Sequence, residues 1–208
     1  MTLVRTTDPD EAAELIASGA RLARYAHDMQ RNLLDEDIPD WWRVPGLDPN
    51  LKLTLVDRPV ADLAAASLSA YPPGHVDAAQ AASMSEASAM YEGILTGHIA
   101  GPFIAGLSHL VIDATDDALV GAVLVTSLPA SNWWAGGPWL CDLFVVPRHR
   151  GTGVGLGMLL MLVGACADHG HERLGLSVTD GNPAERLYKS VGFERRRSVF
   201  VLDAPDGT

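Results

Sequence analysis

The chain has 208 residues, enough for one large domain or for an ordinary domain with an extension. Hydrophobic residues make up 48% of it, so a sizeable core is within reach. A formal charge of -11 argues against non-specific DNA or RNA binding, which needs a clustered cationic surface, and mildly favours a cationic or amine substrate.

Cys141 and Cys166 both lie in apolar segments without partners at metal-ligand spacing, so they read as buried free thiols in a reducing compartment. The N-terminus lacks a signal-peptide core, and no apolar run reaches membrane-spanning length. The expectation is a soluble cytoplasmic protein with no membrane and no nucleic-acid partner.

In chain order, Asp8–Pro9 followed by EAAELIAS predicts a capped short helix ended by Gly19. Residues 21–29 alternate as a strand, and a proline- and acid-rich linker with Trp41 and Trp42 follows, its DEDIPD run read as a solvated loop. Residues 51–56 alternate as a half-buried strand, Pro59 opens an alanine-rich helix to Ala70, and a PPGH turn at 72–75 breaks it. A second helix is expected over 78–95. Strands are expected at 109–113, at 118–127 (apolar enough to be buried on both faces) and at 139–146. A helix over about 153–169, a strand at 173–178, a short helix over 182–191 and a last strand at 194–202 complete the pattern. Antiparallel strands give way to alternating strands and helices, so the fold class is α+β, or mixed α/β, around a central sheet.

The stretch LCDLFVVPRHRGTGVGLG, residues 140–157, organises the chain. A glycine series between a strand and a helix lets backbone N–H groups approach an anion, and the helix N-terminus adds partial positive charge. No lysine follows the glycines, which rejects a Walker A loop. Dinucleotide spacing fails as well, because Leu156 or Met158 occupies the place of the last glycine. A tight glycine turn into a core helix remains the structural alternative.

The pattern Arg148-x-x-Gly151-x-Gly153 after an apolar strand resembles the acyl-CoA-binding signature of the GNAT superfamily of N-acyltransferases. Residues 179–193, TDGNPAERLYKSVGF, are similar to the Asn-Pro-Ala…Leu-Tyr-x-x-x-Gly-Phe segment that ends GNAT domains. The resemblance covers roughly residues 51–203 and is strongest over 139–193. It implies a mostly antiparallel central sheet flanked by helices, acetyl-CoA as co-substrate, and no metal.

By this resemblance, backbone groups of Phe144, Val145 and Val146 hold the pantetheine arm in the manner of an added strand. Arg150, Gly151, Thr152, Gly153, Val154 and Gly155 cradle the pyrophosphate, with Arg148 or Arg150 adding charge. Asn182 contacts coenzyme A, although an Asn-Pro pair also explains itself as a helix cap. Tyr188 protonates the departing thiolate, or else is an amphipathic core tyrosine.

Amine attack also requires a base, and Asp142 is the most suggestive carboxylate because it interrupts an apolar strand. A strand-edge carboxylate bonded to its neighbours is the equally open structural reading. His75 and His109 are weaker alternatives, and water relays could replace a dedicated base. Backbone N–H groups of 139–146 would stabilise the oxyanion.

Residues 8–29 resemble the protein's own ending, 181–202, both running turn, Pro, short helix, Gly, basic strand. The first copy has Leu15 where the second has Tyr188, and no glycine loop precedes it, so it could not catalyse. The expectation is an N-terminal helix–strand extension over 1–50, a candidate remnant of a tandem domain's end, and an acetyltransferase domain over 51–208. That domain would pass an acetyl group to a small-molecule or peptide amine in a ternary complex, with a homodimer allowed. The rival is a non-catalytic acyl-CoA-binding or regulatory module.

Overall fold

The computed structural model describes residues 2–34, 38–44 and 46–205, so residues 35–37 of the acidic loop lie outside the described residues. The chain divides into two compact units, Met1–Gln30 with Leu176–Thr208, and Arg31–Gly175. The first fifty residues are thereby shared between the units.

In the larger unit, β3 (Leu51–Thr54), β4 (His109–Asp113), β5 (Leu119–Leu128) and β6 (Gly137–Val145) form an antiparallel succession in the order β6-β5-β4-β3. β5 is buried along most of its length, as its unbroken apolar run requires. Helices α2 (Val60–Ala70) and α3 (Met84–Leu95) cover one face, where Leu63, Tyr91, Leu110, Leu124 and Phe144 share a core. Successive strand residues face opposite ways. Gly121 accordingly lies against Met158 of α4 (Val154–Asp168), whose methyl carbon sits 3.0 Å from where a Cβ would stand.

α3 begins later than its apolar spacing suggests. Ser83 Oγ accepts the Glu86 N–H at 3.2 Å while Glu86 Oε2 accepts the Ala82 N–H at 2.8 Å, and this reciprocal capping sets the start. Residues 78–80 form a separate 3-10 turn. Part of the linker forms regular structure. Its 3-10 turn Asp40–Arg43 lies on α4, with Arg43 donating to both carboxylate oxygens of Asp168 at 2.8–3.0 Å.

The smaller unit holds two strand–helix–strand passages. One is β1 (Thr2–Thr6), α1 (Pro9–Ala17) and β2 (Arg21–Asn32); the other is β7 (Arg173–Thr179), α5 (Ala184–Ser190) and β8 (Glu194–Ala204). The order β1-β8-β2-β7 sets the second strand of each passage between the strands of the other. β1 and β2 both pair antiparallel with β8. Asp8 caps α1 by accepting the Asp10 N–H at 2.9 Å, and Leu15 packs toward Ala12 and Leu202. Between the central strands, His27 bridges Ser198 Oγ at 2.9 Å and Asp180 Oδ1 at 2.8 Å, and Arg197 Nε donates to Asp28 at 2.8 Å.

Eight mostly antiparallel strands with five helices place the chain in the expected mixed α+β class. Among the described residues, no helix is long and apolar enough to cross a membrane.

Candidate active site

β6 runs into a 3-10 turn, Pro147–His149, and then into the glycines. Gly151 and Gly153 have φ of 76° and 88°. A Cβ there is strained against its own flanking peptide groups, so the loop's path favours glycine at both places. Gly153 is also the N-cap of α4 and has no side chain to satisfy the first turn. The N–H groups of residues 151–156 accordingly meet no acceptor among the described residues, whereas the Gly157 N–H donates to the Gly153 carbonyl at 2.9 Å. A Cβ built at Gly151 or Gly153 would meet nothing within 4 Å. The result is an open row of donors at the positive end of a 15-residue helix.

The cations around this loop are already engaged. Arg150 donates from Nη2 to the Ala70 carbonyl and from Nε to the Val145 carbonyl at 3.3 Å, tying the end of α2 to β6. Arg148 Nη1 faces Asp116 Oδ2 at 3.4 Å and is half exposed. Thr152 Oγ donates to the His149 carbonyl at 2.7 Å, which closes the turn. Beside the loop's start, an open groove of about 590 Å3 has Arg58, Asp62, Asp117 and Arg148 as its charged lining.

Phe144 and Val146 are buried, and Val145 is half-buried. The Val146 N–H donates to the Val120 carbonyl at 2.8 Å, so alternation turns the Val145 N–H away from β5. Of the three backbone positions expected to hold a pantetheine arm, Val145 is the one whose N–H points away from β5, while its carbonyl accepts Arg150 Nε.

One turn of strand earlier, Asp142 is the centre of a polar network. Tyr71, at the C-cap of α2, donates to Asp142 Oδ1 at 2.8 Å, and Tyr91, on α3, donates to Oδ2 at 2.5 Å. Tyr71 Oη also lies 3.3 Å from the Leu143 carbonyl. Although Asp142 as a whole is half-buried, desolvation of its carboxylate raises its pKa. The two phenol hydrogen bonds oppose that rise and the nearby Asp77 charge adds to it. Tyr91 is fully buried, and burial pushes its phenol well above the usual range.

The PPGH turn adds His75, whose ring centroid lies 5.1 Å from that of Tyr71. His75 Nδ1 accepts the Asp77 N–H at 3.1 Å, which places a neutral ring's proton on Nε2. His109, the other histidine considered, opens β4, where burial lowers its pKa to about 4. Sequence reading singled out Asp142 but neither tyrosine. Each tyrosine sits at an unremarkable helical position, and only the fold carries them to the same carboxylate.

The tryptophan loop divides in role. Trp134 is buried and donates from Nε1 to the Leu128 carbonyl at 3.2 Å, so it belongs to the core, while Trp133 is half-buried against it. The cysteines are free thiols, and burial raises Cys141 to about 11 and Cys166 to about 12. Among the described residues, no group of three His, Cys, Asp or Glu side chains could hold a metal ion.

In the smaller unit, Asn182 Oδ1 accepts the Ala184 N–H at 2.8 Å and the Asn182 N–H donates to the Thr179 carbonyl at 3.0 Å. The asparagine therefore shapes the entry to α5, with Pro183 as the N-cap residue. Tyr188 is buried at 8% exposure, its ring 6.0 Å from Phe193, and its carbonyl accepts the Val191 and Phe193 N–H groups at 3.1 and 3.0 Å.

Residues 78–193 match the model of the acetyltransferase (GNAT) family. Comparison with curated proteins finds no significant sequence match. Among solved structures, the chain is similar to a GCN5-related N-acetyltransferase from Sphaerobacter thermophilus, at 17% identity and a TM-score of 0.63, over 96% of this chain and 57% of that one. It is similar to a tandem GNAT protein from the clavulanic acid biosynthesis pathway, at 16% identity and a TM-score of 0.61, over 94% of this chain and 57% of that one. It is also similar to a glucosamine N-acetyltransferase region of a fungal multi-domain β-N-acetylglucosaminidase, at 16% identity and a TM-score of 0.60, over 96% of this chain and 24% of that one. The chain thus spans less than two thirds of each of these proteins, and at such identities the likeness is one of fold.

Proposed function

The chain belongs to the GNAT acetyltransferase family, and on that premise we propose that it transfers the acetyl group of acetyl-CoA to a primary amine by direct attack in a ternary complex. The observation that carries this reading is the row of N–H groups over residues 151–156 at the start of α4, with positive-φ glycines at 151 and 153. Such a row suits a pyrophosphate, which needs several convergent donors and no side-chain bulk.

Acetyl-CoA, when bound, supplies an activated thioester. The protein's residues do the rest. N–H groups of Gly151, Thr152, Gly153, Val154 and Gly155 bind the pyrophosphate, and Arg148 gives long-range positive charge. Arg150 acts chiefly by bracing α2 against β6, since its guanidinium is held by carbonyls. The Val145 N–H, turned away from β5, aligns the pantetheine arm. Asp142 removes the proton that an ammonium must lose before it can attack. Asn182 and Tyr188 take their roles from the family motif, Asn182 toward coenzyme A and Tyr188 as the acid that protonates the thiolate sulfur.

The test is calorimetric titration of the full chain with acetyl-CoA, followed by thiol release with benzylamine, spermidine, glucosamine and a peptide N-terminus. Micromolar binding with amine-dependent thiol release is expected. Binding without release from any amine would support the acyl-CoA-binding module instead, and absence of binding would reject both. Tyr188→Phe should lower turnover; unchanged turnover across pH would remove the acid role.

A further inference from the structure

Each carboxylate oxygen of Asp142 accepts a hydrogen bond from a phenol, so a phenol can relay a proton to the base. The two phenols are not equivalent. Tyr91 is fully buried on α3, while Tyr71 is half-buried at the end of α2. Tyr71 also lies where the chain opens into the PPGH turn, and its hydroxyl reaches the backbone of β6 at Leu143, next to the strand residues assigned to the pantetheine arm. Resting on the acyltransferase reading above, the geometry points to Tyr71 as a catalytic residue, the group that touches the acceptor ammonium and passes its proton to Asp142.

The transfer balances in one concerted move. An ammonium N–H proton goes to Tyr71 Oη as the Tyr71 hydroxyl proton goes to Asp142 Oδ1. The products are a free amine, a neutral phenol and a protonated carboxyl. No tyrosinate forms, so the high proton affinity of a phenol is never an obstacle. Tyr91 is a positioning residue, holding Oδ2 so that Oδ1 stays aimed at Tyr71. The titratable and charged groups around this pair are Tyr91 from α3, His75 and Asp77 from the turn after α2, Cys141 beside Asp142 on β6, and Arg150 at the Ala70 carbonyl; of these, Tyr91 lowers the proton affinity of Asp142 and Asp77 raises it. Desolvation of the Asp142 carboxylate favours its role as final proton holder.

The assignment is tested with Tyr71→Phe, Asp142→Asn and the double variant, each checked for an unchanged fold by thermal melting. Acetyl-CoA affinity should stay within about threefold of the parent, because neither group belongs to the glycine loop. With an amine from the panel above, kcat/KM should fall about 30-fold or more in each single variant and no further in the double one, since the two act as one unit. The acidic limb of the pH profile should disappear in both. A Tyr71→Phe enzyme within about threefold of the parent, or losses that multiply in the double variant, would overturn the assignment while leaving the acyltransferase reading intact. Failure of the parent to bind acetyl-CoA would overturn that reading, and this assignment with it. If the parent binds acetyl-CoA but acetylates none of the probes, carbon-13 NMR of the aspartate carboxyls decides. An Asp142 signal that titrates above the ordinary carboxylate range, and higher still in Tyr71→Phe, supports the coupling; a signal indifferent to Tyr71→Phe ends it.

Discussion

Two neighbouring sites along β6 are built by opposite means. Beyond Val146 the chain offers an anion only backbone, with glycines at positive φ and amides left over from a helix start. At Asp142 it gathers side chains from α2, α3 and β6 around one carboxylate. A backbone site costs little to assemble, since it is one continuous loop that depends on no distant partner. The side-chain site depends on three remote segments arriving together, and it carries the penalty of a desolvated charge. The first should therefore tolerate changes in packing and pH that the second does not.

The largest test of that contrast is Phe144→Ala. Phe144 is buried under α2 and α3, with its ring 6.4 Å from that of Tyr91, so its truncation should destabilise the protein by about 3–5 kcal/mol in urea unfolding. A loss below about 1 kcal/mol would mean that this side of β6 is not a packed core. The pH dependence should come from the same packed unit. His109 has a folded pKa of about 4 against an ordinary 6.5, so the unfolded chain binds the proton more readily in that window. Its contribution is complete above about pH 6.5 and declines as pH falls toward 4, by up to about 3 kcal/mol. His109→Gln should flatten the slope in equilibrium unfolding at stepped pH, and a slope that persists would place its origin elsewhere.

Tyr91→Phe is a smaller and more local change. It strips one donor from Asp142 and should cost about 2 kcal/mol, with the Asp142 pKa rising further. Gly153→Ala should have the smallest effect on stability and the most selective one. Forcing a Cβ into the left-handed region costs about 1 kcal/mol, yet the methyl would stand over the open amides and lower acetyl-CoA affinity about tenfold or more in calorimetry. If that variant destabilises strongly while binding acetyl-CoA normally, the two sites on β6 differ less than proposed.

What could be read in advance follows the same division. The glycine loop, the Asp8 cap, the buried strand β5 and the Asn-Pro entry to α5 all depend on residues within a few positions of one another. Each left a local mark in the sequence. The start of α3 was legible too, because Ser83-x-x-Glu86 is a capping box, but the longer apolar spacing drew attention away from it. β1 had no such mark, as it is five residues long and mostly exposed, with hardly any apolar stripe to detect. The similarity of residues 8–29 to 181–202 was visible as a motif. Its consequence, two passages whose strands interleave as β1-β8-β2-β7, was not, because strand order is a choice among distant partners.

By itself the sequence marked the glycine loop, most of the succession of elements and the positions where glycine turns the chain, since these follow from local backbone sterics and short-range hydrogen bonding. The tertiary structure decided what Asp142 faces, that Arg150 braces carbonyls rather than standing free, and that Trp134 is core. The physical reason is one of range. A hydrogen bond is settled within a few tenths of an ångström, and the partners of Asp142 lie 71 and 51 residues away along the chain, a separation that no periodicity or motif encodes.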